Sequence, residues 1–79
     1  MGLELRAFIR QLGLTEYDVR DETGIGQSII NRIARQEREP SAYTLLCLTA
    51  WADKQARRRR LPASQWLSWD WVYPGEGER

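Results

Sequence analysis

The sequence contains no histidine and a single cysteine, Cys47. The first absence excludes a histidine general base and a zinc site of mixed Cys and His ligands. The second excludes an intramolecular disulfide. Cys47 lies inside an apolar helical run, the setting of a small buried hydrophobe rather than a reactive thiol. No apolar run is long enough to span a bilayer, and residues 1–11 are amphipathic rather than signal-like. A soluble, cytoplasmic chain with no membrane partner is expected. Catalytic patterning is also lacking: there is no paired nucleophile and base, no glycine-rich phosphate loop and no metal-ligand spacing. The sequence therefore points away from an enzyme and offers no site for a cofactor, a metal or a small-molecule ligand.

An excess of charge is missing too. Twelve Lys and Arg stand against 11 Asp and Glu, for a net charge of +1. Placement says more than the sum. Arg32, Arg35, Arg38 and Arg57 to Arg60 are basic, whereas Glu16, Asp18, Asp21 and Glu22 form an acidic patch spaced for a solvated face. With 79 residues, of which 42% are hydrophobic, the chain has room for one folded domain with a small core.

What is present is a succession of short helices. Leu5, Phe8, Ile9 and Leu12 follow the i, i+3, i+4, i+7 stripe of a helix over 3–12, and Gly13 ends it. Thr15 is an N-cap with Asp18 three residues on, which predicts a second helix from Glu16 to Thr23 with Val19 buried; Gly24 stops it. A third helix starts at Gly26 or Gln27. Ile25, Ile29 or Ile30, and Ile33 seat it in the core, while Gln27, Ser28, Asn31, Arg32 and Arg35 occupy the rest of the cylinder. Pro40 bars further helix and Ser41 caps a fourth, from Ala42 to about Arg57. Leu45, Leu48, Thr49 and Ala52 are assigned to its core stripe. Leu46, Ala50 and Trp51 add apolar area beside that stripe, and a subunit interface is the simplest cover for them.

The cluster Arg57 to Arg60 admits two readings. It is either a solvated helix end complementing the helix dipole or a phosphate-binding group. Pro62 to about Ser68 is expected as a fifth short helix carrying Trp66 and Leu67. Trp69-Asp70-Trp71-Val72-Tyr73 suits an extended arm. The expected architecture is all-α: a compact four- to five-helix bundle with an aromatic C-terminal arm, divided into a main domain over residues 1–60 and an extension over 61–79 used for packing or dimerisation.

Two short helices, a glycine turn and a third helix with polar outward positions make a helix-turn-helix pattern. In such a pair the second helix braces the third, so that its N-terminal part enters a major groove. The segments Leu12-Gly13-Leu14-Thr15, Thr23-Gly24-Ile25-Gly26-Gln27-Ser28, Ile30-Asn31-Arg32-Ile33, Glu39-Pro40-Ser41 and Thr44-Leu45 together resemble the phage repressor and Cro family. The resemblance covers 3–52. It implies that Gln27, Ser28 and Arg32 read bases, and that Asn31 and Arg35 flank them with backbone contacts. Arg38, Arg57 and Arg58 are further backbone candidates. Pro40-Ser41-Ala42-Tyr43-Thr44-Leu45, with the overall length, also resembles small anti-CRISPR-associated regulators of phages and mobile elements. Those are dimeric autorepressors that bind an inverted repeat in their own promoter.

Three positions depart from the family. Glu16 replaces a glutamine that supports a phosphate contact and the reading glutamine, and a carboxylate there repels phosphate. Arg20 stands where a small residue lets the helices approach, so it must snorkel outward or open the crossing angle. Ala34-Arg35-Gln36 replaces the acid-x-glycine end of the third helix, which implies a longer turn.

The expected function is thus a homodimeric repressor on a palindromic double-stranded DNA operator. Leu46, Trp51, Trp66, Trp69 and Trp71 are the expected dimer contacts. A rival reading is a protein-interaction module, an inhibitor or antitoxin-like adaptor that turns the same fold on a protein. Single-strand binding by the basic and aromatic tail is a third.

Overall fold

A computed structural model describes residues 2–70 of the chain. Four α-helices follow one another: α1 (Leu5–Gln11), α2 (Glu16–Thr23), α3 (Gln27–Ala34) and α4 (Ala42–Arg58). A 3-10 turn at Ala63–Gln65 comes next. The described residues contain no strand, only a parallel bridge between Leu3 and Leu67. None of the described helices is long and apolar enough to cross a membrane.

Leu5, Phe8, Ile9 and Leu12 are all buried, as their spacing requires. Val19 of α2, then Ile25, Ile30, Ile33 and Ala34 around α3, and Leu48, Trp51 and Ala52 of α4 complete the core. Each large apolar side chain buried this way contributes about 1.5–3 kcal/mol. Helix α2 packs against both α3 and α4, and α3 also meets α1. The rings of Phe8 and Trp51 meet edge to face, with centroids 5.9 Å apart and planes at 79°.

The buried face of α4 is rotated from the expected one. Leu45 and Thr49 are half-buried, while Trp51, Gln55 and Ala56 join Leu48 and Ala52 inside. Trp51 was expected at a dimer contact, and this is corrected: it is only 6% exposed within the single chain. The reason is polar as well as apolar. Glu22 Oε1 of α2 accepts from Trp51 Nε1 at 2.8 Å and from Gln55 Nε2 at 2.9 Å, which turns this face of α4 inward.

Two helix ends use a left-handed residue other than glycine. After α3, Gln36 takes φ 62°. Its N–H bonds to the Ile33 carbonyl and that of Glu37 to the Arg32 carbonyl, the paired bonds of a Schellman ending. The longer turn expected at Ala34-Arg35-Gln36 is therefore a standard ending with the wrong residue in it. Arg60, at φ 54°, closes α4 in the same way, with Arg60 N bonded to Arg57 O and Leu61 N to Ala56 O.

The fifth helix expected over 62–68 is also corrected, to the single 3-10 turn. Trp66 is extended, with ψ 157°, because Leu3 recruits the backbone on either side of Leu67. Leu3 N donates to Trp66 O and Ser68 N donates to Leu3 O, each at 2.8 Å. This pairing also starts α1 at Leu5 rather than Leu3. Gly2 makes the approach possible: its φ is +147°, and a Cβ there would sit 2.7 Å from Trp66 O. Leu61, Leu67 and Trp69 pack against the core, so the described part of the extension lies on its own domain.

Candidate functional site

The site grows from the α2–α3 pair. Thr15 and Asp18 form a reciprocal capping box: Asp18 N donates to Thr15 Oγ1 at 3.3 Å and Thr15 N to Asp18 Oδ2 at 2.8 Å. That fixes where α2 begins and so where Glu16 stands. Gly24, at φ 80°, ends the helix in the left-handed region. The Thr23 hydroxyl donates to Val19 O at 2.7 Å and accepts from Ile25 N at 3.1 Å, tying the link to α2. Ile25 is buried, and α3 starts at Gln27 with Gly26 as its uncapped N-cap.

With Ile30, Ile33 and Ala34 inward, α3 turns Ser28 and Arg32 to solvent. Gln27 and Asn31 are half-buried because both reach back to α2. Gln27 Nε2 and Asn31 Nδ2 each donate to Glu16 Oε1 at 3.0 Å. The Glu16 departure is therefore an acceptor shared by two amides.

Arg20 resolves as snorkelling. Its guanidinium meets Asp21 Oδ1 at 2.9 Å and lies 5.3 Å from the centroid of the Tyr17 ring. Tyr17 remains 57% exposed.

Of the backbone candidates, Arg35 is exposed but pairs with Glu37 at 3.3 Å. Arg38 is exposed. Arg58 borders a cleft between α2 and α4, and with Arg57 a second one lined by α4 alone. Their neighbour Arg59, the exposed C-cap of α4, bonds within the chain. It reaches Gln55 Oε1 and the Leu12 carbonyl, both at 3.3 Å, and so ties the end of α4 to the end of α1.

Two arginines escaped sequence reasoning. Arg6 and Arg10 of α1 line one open cleft with Thr15 and Glu16, the carboxylate that accepts from the amides of α3. Their i, i+4 spacing on the polar side of α1 was the available signal.

Among the expected dimer residues, Leu46 is 68% exposed and Tyr43, one turn before it, is 73% exposed. Half-buried Cys47 holds the Tyr43 phenol above its ordinary pKa, chiefly through a hydrogen bond. Trp66 Nε1 donates to Leu61 O at 2.8 Å and Trp69 Nε1 to Thr49 Oγ1 at 3.0 Å, so both indoles have partners within the chain. Trp71 lies outside the described residues. No group of three or more His, Cys, Asp or Glu gathers to hold a metal among the described residues.

The chain matches no protein-family model, no curated protein and no solved structure.

Proposed function

We propose that the chain is a sequence-specific double-stranded DNA-binding regulator, a homodimeric repressor whose α2 and α3 form a helix-turn-helix. One observation carries the reading: a braced, eight-residue helix presents Ser28 and Arg32 to solvent beside two amides held by Glu16. In this reading Gln27, Ser28 and Arg32 contact base edges. Asn31, Arg35 and Arg38 hold phosphates, joined by Arg6 and Arg10 from α1.

Dimerisation falls to the outer face of α4. Tyr43, Leu46 and Ala50 lie there at i, i+3 and i+7, all exposed. Two copies joined through it read half-sites of an inverted repeat, about 34 Å apart or a multiple of that.

The test is a gel shift with duplex DNA from the chain's own upstream region, at two salt concentrations and with scrambled competitor. A competitor-resistant band on an inverted repeat, weakening steeply with salt, supports the reading. Absence of any shift at low salt sinks it. Exposed Tyr17, in the acidic α2, is the observation that favours the rival reading of a protein-binding module.

A further inference from the structure

The cleft between α2 and α4 has no part in the reading above. Its volume is about 490 Å3, within the range of small-molecule sites, and no residue of α3 lines it. Most polar groups of its walls are already spent within the chain. The Thr23 hydroxyl donates to Val19 O and accepts from Ile25 N. Glu22 Oε1 accepts from both Trp51 and Gln55, and Gln55 Oε1 accepts in turn from Arg59. Between these groups, Cys47, Ala50 and Trp51 give the α4 wall an apolar stretch.

Lys54 and Arg58 are the exception. They line the same cleft one turn apart on α4, and both are exposed. Neither makes an ion pair or a side-chain hydrogen bond among the described residues. The last turn of a helix favours a cation, which accounts for Arg58 at the end of α4. Lys54 lies a full turn earlier and has no such cause.

We infer that this cleft binds a small organic anion with an apolar body, an aromatic carboxylate being the class that fits. Lys54 and Arg58 take the carboxylate through charge-assisted hydrogen bonds, the guanidinium offering two parallel donors. The ring packs against Cys47, Ala50 and Trp51. Glu22 sets the direction of entry, because its charge on the α2 wall repels an anion that enters reversed. The inference needs neither α3 nor a nucleic acid, so it is independent of the DNA-binding reading.

The experiment titrates the isotope-labelled whole chain with sodium benzoate at constant ionic strength and follows its amide and indole N–H resonances. Benzyl alcohol, which has the ring without the charge, and inorganic phosphate, which has the charge without the ring, are titrated in parallel. Benzoate is expected to shift the Trp51 indole N–H and the Ala50 and Lys54 amides saturably, and neither control should reproduce the pattern. Lys54→Gln and Arg58→Gln together should weaken benzoate about tenfold or more, while the rest of the spectrum reports an unchanged fold. No saturable shift with benzoate overturns the inference. Equal binding of benzyl alcohol does so too, since the cations would then have no role, as does equal binding of phosphate, since the apolar wall would have none. Undiminished benzoate binding in the double variant overturns it as well. The gel shift that tests the DNA-binding reading stands or falls separately from all of these.

Discussion

Glu22 and Trp51 join α2 to α4 through a 2.8 Å hydrogen bond from the indole Nε1 to a carboxylate oxygen that also receives Gln55 at 2.9 Å. Trp51 and Gln55 are 6% and 4% exposed, so their N–H groups have little recourse to water. Glu22→Ala strands both donors and should destabilise the fold by about 1–3 kcal/mol. Glu22→Gln keeps an acceptor oxygen and should cost less. Urea unfolding followed by tryptophan emission checks the order; equal stability of Glu22→Ala and wild type would show that the pairing is idle.

Arg60 offers the opposite result. A left-handed conformation costs an L-residue about 1–2 kcal/mol. Glycine removes that strain but adds about 0.5–1 kcal/mol of unfolded-chain entropy. Arg60→Gly should therefore stabilise the protein by roughly 0.5–1 kcal/mol, seen as a higher melting temperature. A fall would mean that the Arg60 side chain holds something its backbone strain conceals.

Arg32 and Arg10 should part company in DNA binding. On the proposed reading, Arg32→Ala loses a base contact and is expected to cost about 1–3 kcal/mol while relaxing one base position. Arg10→Ala loses the proposed phosphate contact, so affinity should fall evenly across sequences and the salt slope should drop by about one. Footprinting and titration at several salt concentrations distinguish the two. A sequence-dependent loss for Arg10→Ala would move that residue to the base-reading set.

Leu46→Glu should leave the monomer fold intact, because the side chain is 68% exposed. It should abolish the dimer and with it tight binding to an inverted repeat. Analytical ultracentrifugation gives the answer directly. An unchanged sedimentation coefficient for a dimeric wild type would shift the interface away from α4.

The parts of this fold that were legible beforehand are those with local causes. Thr15, Asp18 and Gly24 set the bounds of α2 within their own turn, and Gly13 and Ser41 did the same for the end of α1 and the start of α4. What escaped depends on partners distant in sequence. Helix α4 is apolar around much of its girth, so periodicity left its inner face open until Phe8 and Glu22 selected Trp51. Gln36 and Arg60 carry no local mark of a left-handed ending. The polar residues of α3 were readable as one face, but the hydrogen bonds from Gln27 and Asn31 to Glu16 required the α2–α3 crossing. Charge alone suggested repulsion at Glu16; in place, its Oε1 accepts from both amides.

The bridge between Leu3 and Leu67 has a consequence for how the chain comes into being. A ribosome releases Leu3 before α1 to α4, and Trp66 and Ser68 only after them. The hydrogen bonds that Leu3 will make thus wait until all four helices have been synthesised. Helices α1 to α4 can dock in that interval, and the fastening of one end to the other is left as a late, long-range closure. The two exchanged hydrogen bonds act as a latch that only a finished domain can shut.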